Sequence, residues 1–261
     1  MKLYRIHAML MKYWYISLNS LDRIFDIFYW PMIDLFLWGF ASYYIKALAD
    51  VNVLSVFIGG AIIWIFLWRS AQDVTVFVLE DFWSRNLYNL FSSPLRVTEM
   101  ILALVIFSTA RAAVAFLFLI AMAYLLYSFS IVSIGYMNFA LFVVLLMLFG
   151  YAVGLFITSF LFKYGSRIQV FAWSVVWILQ PFSAVFYPVS ALPPWAQNVA
   201  VILPTTYVFE AMRAVLNNTP IHWNGIIYSF VASLVLLVLV SIFLGRSIRN
   251  ARKQGLLARY E

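Results

Sequence analysis

The 261-residue chain has no cysteine, and only 10% of its residues are charged. The first absence removes disulfides, thiol catalysis and cysteine-based metal sites, and it leaves the compartment open. The second argues against a single soluble globule. Soluble domains carry about 25% charged and about 45–50% apolar residues, whereas 66% of this chain is hydrophobic. Histidine is almost missing too. His7 and His222 stand far apart, on segments predicted to lie on opposite faces of a membrane, and make no metal site. No Gly-x-x-x-x-Gly-Lys-Ser/Thr loop occurs, nor even a Gly-Lys pair, so the chain lacks the usual cradle for nucleotide phosphates. No short apolar core followed by a small-residue cleavage site marks a removable signal peptide in Met1–Asn19. No repeat, low-complexity tract or shift of composition divides the chain, and residues 1–261 read as one membrane domain.

What is present is a series of long apolar runs. A helix needs about 20 mostly apolar residues to cross the hydrocarbon core. Candidate crossings run over 24–45, 53–76, 101–127 and 134–162, a fifth opens at Ile168, and a sixth covers 226–244. Between Ile168 and Phe209 the chain carries no charge for 42 residues, too long for one crossing. Pro181, Pro188, Pro193, Pro194 and Pro204 interrupt any continuous helix there, and Trp195, Gln197 and Asn198 bring interfacial and polar groups into its second half. Residues 186–218 are therefore expected to form a re-entrant or interfacial helical hairpin. Charge selects the even count. With six crossings one face collects Lys2, Arg5, Lys12, Arg23, Arg69, Arg85, Arg96, Lys163, Arg167, Arg246, Arg249, Arg252, Lys253 and Arg259, which is 14 of the 17 basic residues. A seventh would export the basic tail at 245–261, against the positive-inside bias. The net charge of +7 is thus read as orientation, with both termini cytoplasmic, and not as a nucleic-acid surface.

Two segments on the basic face are amphipathic. Residues 1–21 mix Tyr4, Ile6, Met9, Leu10, Tyr13 and Trp14 with Lys2, Arg5 and Lys12, which suits a helix in the headgroup plane. In 80–96, Trp83, Leu87, Leu90, Phe91 and Pro94 recur at three- and four-residue spacings, while Arg85, Asn89 and Ser92 face elsewhere. A short helix ended by Ser92-Ser93-Pro94 is predicted, resting on lipid or gripped by a soluble partner.

Charges inside the crossings are few. Asp34 and Arg111 each lie ten residues into a candidate crossing, near 15 Å depth at about 1.5 Å per residue. Each costs about 2.5–3.5 kcal/mol at a helix centre, so the expectation is that they pair. Alternatively the third crossing starts after Arg111, which then sits at the interface. Acid–base catalysis needs two groups within reach, and the crossings offer no His, Cys or paired carboxylates, so no catalytic residue is assigned. Glu210 and Arg213, three apart on a predicted short outer helix, form a surface pair worth about 0–1 kcal/mol. Tyr43, Trp64, Trp173, Trp177 and Gln180 are the aromatic or polar candidates to line a path through the bundle.

Two stretches carry a family resemblance. One starts at the acidic Glu80 and ends in Leu90-Phe91-Ser92-Ser93-Pro94-Leu95, with Glu99 beyond. The other runs Phe186-Tyr187-Pro188, Leu192-Pro193-Pro194-Trp195, Leu203-Pro204-Thr205-Thr206-Tyr207, then Glu210 and Arg213. In this order, within a chain of this length ending in a basic tail, they resemble the type-2 ABC exporter permeases, the membrane subunits of ATP-driven efflux systems. The resemblance implies an all-α membrane protein of six transmembrane helices. It also implies an N-terminal amphipathic elbow helix (1–21), a cytoplasmic coupling helix (80–96) entering a groove on an ATPase, and a re-entrant hairpin (186–218) capping the outer end. On that resemblance Glu80, Trp83, Arg85, Leu87, Leu90, Phe91 and Pro94 couple to the ATPase. Pro188, Pro193, Trp195, Pro204, Glu210 and Arg213 shape and brace the hairpin.

The implied assembly is two permease chains, identical or paralogous, with two ATPase subunits that hold ATP and magnesium, in the cytoplasmic membrane. This chain itself binds no cofactor. The implied cargo is amphipathic: a drug, a lipid or a lipid-linked glycan. The entry to the first crossing, Phe28-Tyr29-Trp30-Pro31-Met32-Ile33-Asp34-Leu35, departs from the Leu-Gly-x-x-Trp stretch of the O-antigen and teichoic acid permeases and is closer to the drug and lipid branch. A channel or scaffold without ATP coupling is the other reading.

Overall fold

The computed structural model describes residues 1–49 and 53–253, which are 87% helix, with no strand among them. Helix α1 (Leu3–Asn19) is followed by α2 (Leu21–Ala49), α3 (Leu54–Trp83), the short α4 (Leu87–Ser92) and α5 (Val97–Tyr127). After a 3₁₀ turn at Ile131–Ser133 comes α6 (Tyr136–Tyr164), and a second at Gly165–Ile168 leads into α7 (Val170–Phe182). A third at Val189–Ala191 precedes α8 (Pro194–Ile202), α9 (Pro204–Leu216) and α10 (Trp223–Lys253).

Helices α2, α3, α5, α6 and α10 are each long and apolar enough to cross a membrane. At about 1.5 Å per residue they reach roughly 45 Å, beyond the ~30 Å of a hydrocarbon core, so they project from it. The expected fifth crossing is different. Helix α7 has 13 residues, fewer than the about 20 a full helical crossing needs. Pro181 lies in its last turn, and Ala184 follows in left-handed backbone at φ +52°. In the stretch expected to form a hairpin, α8 and α9 meet at 98°. The corner is Leu203-Pro204. Extended Leu203 cannot continue α8, and Pro204 starts α9 at a position whose missing N–H costs nothing.

Helix α3 is the axis of the bundle, buried along almost its whole length. Its closest neighbour is α6, and two glycines explain why. A Cβ on Gly150 would stand 2.7 Å from the Leu67 carbonyl oxygen, and one on Gly154 would stand 2.7 Å from that of Ala71. Small residues four apart let two backbones approach in the way membrane helices commonly pack.

The direction of each helix follows from its contacts. At one end, which we term basal, the Lys2 N–H donates to Glu99 over 2.8 Å. There Phe91 meets Phe162 at 5.7 Å between ring centroids, and the Arg252 guanidinium lies 4.7 Å from the Phe91 ring. The start of α1, the α3–α5 connection and the ends of α6 and α10 therefore share that end. At the far end Phe57 meets Phe186 and Tyr207 meets Tyr228, at 5.9 and 5.0 Å. Between the ends, α7 descends antiparallel to α3. Trp83 donates to Gln169 over 3.0 Å, Trp68 faces Trp177 at 6.4 Å, and Gly60 abuts the Val185 carbonyl.

Replacing Gly154 by Val is expected to force α3 and α6 apart and destabilise the protein by about 1–3 kcal/mol. Gly245→Ala, with nothing within 4 Å of the added carbon, is expected to leave stability unchanged. Thermal melting of the two detergent-solubilised variants checks this.

Candidate functional site

The basal half is organised by charge. Arg69 and Asp73 sit one turn apart on α3, Asp26 faces them from α2, and Arg111 faces them from α5. Arg69 Nη1 reaches Asp26 Oδ2 at 2.6 Å and Asp73 Oδ1 at 3.5 Å, and Nη2 donates to the Asp26 carbonyl. Arg111 lies 3.2 Å from both Asp26 Oδ2 and Asp73 Oδ2. It also donates to Ser17 Oγ and to the Arg23 carbonyl, each over 3.2 Å. Two arginines and two aspartates thus cancel. The Arg69 guanidinium, fully buried, lies 4.6 Å from the Trp68 ring.

The expected Asp34–Arg111 pair is not formed, because Arg111 takes Asp26 and Asp73 instead. Equal distance from the predicted crossing starts proved a poor guide to depth. Asp26 and Asp73 themselves lie within the predicted crossings 24–45 and 53–76, and the packing of α2 and α3 against α5 turns them, and not Asp34, toward Arg111. Arg69, expected on the basic face, is a buried residue of α3. The i, i+4 spacing of Arg69 and Asp73 was the signal available for this. Asp26 and its rotation toward them were not.

Further ion pairs continue the arrangement to the basal rim. Lys12 pairs with Asp81, Arg23 Nε donates to Glu80 over 2.9 Å, and Arg5 lies 3.5 Å from Glu99. Helix α1 is thereby tied to α3 and α5. It buries Ile6, Met9 and Tyr13 against the bundle and leaves Leu3, Tyr4, Trp14, Tyr15 and Leu18 exposed. Burial, and secondarily the Asp81 carboxylate, pushes the Tyr13 phenol well above its usual pKa, so it remains a neutral anchor.

The connection between α3 and α5 is shorter in helix than the sequence suggests. Glu80 and Trp83 belong to α3, Arg85 turns the chain at φ +53°, and α4 keeps six residues, ending at Ser92 where expected. Leu87 and Leu90 are buried, and Phe91 is held by Phe162 and Arg252. Glu80 is occupied by Arg23. Trp83, Arg85, Tyr88, Asn89 and Pro94 remain exposed.

At the far end Glu210 and Arg213 are 2.9 Å apart, but they are not an isolated surface pair. Arg213 donates to the Ala184 carbonyl over 2.6 Å, and Glu210 accepts from the Val189 N–H over 2.9 Å. The start and the middle of the link between α7 and α8 are thus fastened to α9. Pro188 precedes the 3₁₀ turn within that link, Pro193 precedes α8, and Trp195 packs edge-on to Phe182 at 5.9 Å. Beside them opens a cavity of about 770 Å³, lined among others by Val56, Phe186, Tyr207, Glu210 and Arg213.

The class these features define is a multi-pass helical membrane protein with a charge-locked basal half and a bent helix pair at the other end. A family model described as ABC-2 family transporter protein matches residues 40–244. The chain belongs to this family, and it is the membrane subunit of a transporter, without catalysis of its own. A comparison with curated proteins finds no match.

Removing one member of a buried ionic cluster strands the others, at about 3–5 kcal/mol. Asp73→Asn is expected to show that loss as a lowered melting temperature and reduced folded yield. Asp34→Asn, outside the cluster, is expected to melt close to the parent protein. The same pair of measurements separates the observed partners of Arg111 from the one the sequence suggested.

Proposed function

We propose that this chain is the permease subunit of an ATP-driven exporter that moves an amphipathic substrate across the cytoplasmic membrane, with ATP hydrolysed by a separate polypeptide. The observation that carries the reading is the family match over 40–244 in a chain with no phosphate-binding loop. Each functional unit pairs two permease chains, of one kind or two, with two ATPase subunits that hold ATP and magnesium.

In this reading the chain crosses the bilayer six times, with α7 and the turns around it making the fifth passage. The successive contacts of Gln169, Trp177 and Val185 with Trp83, Trp68 and Gly60 support it. So does the common end shared by α1, α4 and the ends of α6 and α10, which is then the cytoplasmic end. Helix α1 is the elbow, its exposed aromatic face against lipid, and α8–α9 is the re-entrant cap. The α3–α5 connection is the coupling element. Arg85, Arg96, Arg167 and Arg246 are exposed there and make no ion pair among the described residues, leaving a positive face toward a partner. Closure of the ATPase pair on nucleotide would press this connection. Leu87 and Leu90 are buried behind it, and Glu80 with its Arg23 partner hands the displacement to α2. A ligand shifts a conformational equilibrium only through differential contact with its states, and this small, rigidly backed element provides a place for it.

A channel or scaffold without ATP coupling remains the competing assignment. Purification of the tagged chain from native membranes in mild detergent separates them: an ABC ATPase is expected in a 1:1 ratio, and its consistent absence overturns the exporter reading. Arg85→Glu with Tyr88→Glu is expected to reduce ATPase recovery at least tenfold with the melting temperature unchanged. The cysteine-free sequence also makes topology directly measurable. Arg249→Cys is expected to react with an impermeant maleimide only from the cytoplasm, and Asn198→Cys only from outside. Outward labelling of residue 249 would rule out the six-crossing arrangement.

A further inference from the structure

Asp34 has no part in the basal charge cluster. It lies eight residues beyond Asp26 on α2, and no Lys or Arg reaches it within ion-pair distance among the described residues. Its neighbours are aromatic. A narrow cleft between α2, α3 and α7 is lined by Asp34 together with Trp30, Trp64, Trp68 and Trp177. Trp64 and Trp68 are buried and form the floor, while Trp30 and Trp177, 47% and 41% exposed, form the mouth. The Trp68 indole N–H is buried without a hydrogen-bond partner, which is uncommon for a buried donor.

We propose that this cleft is a binding site for a lipophilic cation, a bulky organic ammonium or phosphonium, and that such cations are a substrate class of the transporter. The proposal rests on the exporter reading for its second half only. An acid at membrane depth is retained where a partner, water or a ligand satisfies it, and Asp34 has no cationic partner among the described residues. Tryptophan faces attract cations most strongly of the aromatic rings, and four tryptophans line the cleft that holds this one carboxylate. The pairing of aromatic walls with one acid suits a delocalised or alkylated cation better than a metal ion, which would require several oxygen ligands. It also selects against anions of identical shape. The cleft is closed to about 10 Å³ in this conformation, so occupancy requires Trp30 and Trp177 to swing from its mouth. Both stand on the rim, and Trp177 gives up its 6.4 Å ring contact with Trp68 in doing so.

The test uses the purified full-length chain in lipid nanodiscs, with no ATPase present. Radiolabelled tetraphenylphosphonium is the probe, and empty nanodiscs set the lipid-partition baseline. Saturable binding of one cation per chain is expected, weakened at least tenfold by Asp34→Asn, several-fold by Trp177→Leu, and largely restored by Asp34→Glu. Tetraphenylborate, the anion of the same shape, assayed by itself in a separate experiment, is expected to show no saturable binding above the empty-nanodisc baseline. Equal binding by the parent and Asp34→Asn proteins, each monodisperse on gel filtration, would overturn the site, as would saturable binding of tetraphenylborate assayed by itself. Because no ATPase is needed, loss of this result with ATPase still recovered refutes the cation site alone. Saturable binding together with consistent absence of an ATPase from the native-membrane copurification refutes the exporter reading and leaves the site standing.

Discussion

Four charges, three of them buried, set the constraint on the basal half of this protein. Arg69, Arg111, Asp26 and Asp73 come from three helices, and each satisfies the others only when those helices hold one rotation and one axial offset. A buried ionic cluster is weak evidence for stability, since well-packed apolar residues often do as well. Its value here lies in excluding alternatives. Long apolar helices can slide and rotate against one another at little cost, because lipid solvates any of their faces about equally well. Moving α2 or α5 by one residue relative to α3 would separate opposite charges in a low-dielectric medium, where the penalty is large.

That register carries to the basal rim. Once α3 is placed, Glu80 and Asp81 stand where Arg23 and Lys12 can reach them, and Glu99 receives Lys2 and Arg5. Helix α1 is thereby fixed without burying more than one of its faces. The acids Asp73, Glu80, Asp81 and Glu99 are turned toward internal cations, while several arginines of the same end stay exposed. The sign of the basal face is thus a product of internal pairing as much as of composition. The far end is held differently. Carbonyl and amide groups of a non-helical link are satisfied by Arg213 and Glu210 on α9, as irregular backbone at depth requires.

Helix α3 connects the two regimes. Gly150 and Gly154 bring α6 onto it, α7 runs down its other side, and its two ends reach the far-end cavity and the α4 connection. Displacement of α4 relative to the rest of the bundle bears on a helix with almost no lipid-exposed surface. The Trp-lined cleft with Asp34 lies on the same helix, between the basal cluster and the capped end. This places the candidate ligand site within reach of both.

Several features were legible in the chain alone because they are local. Hydropathy over twenty residues marked the long helices, proline marked the corner at Leu203-Pro204, and Ser92-Ser93-Pro94 marked the end of α4. The family, too, could be read from two ordered motifs. What the linear pattern did not contain was any measure of where one helix stands relative to another. The pairing of Arg111 with Asp26 and Asp73 instead of Asp34 depends on the rotation and axial offset of α2 and α3 against α5, which apolar runs do not reveal. The shortening of α4 depends on α3 keeping Glu80–Trp83, and that is decided by ion pairs with α1 and α2. Composition and period determined which segments are helices. Their depth, rotation and charge partners were decided only when the tertiary structure brought distant side chains together, because electrostatic satisfaction in a membrane is a property of three-dimensional neighbours and not of sequence neighbours.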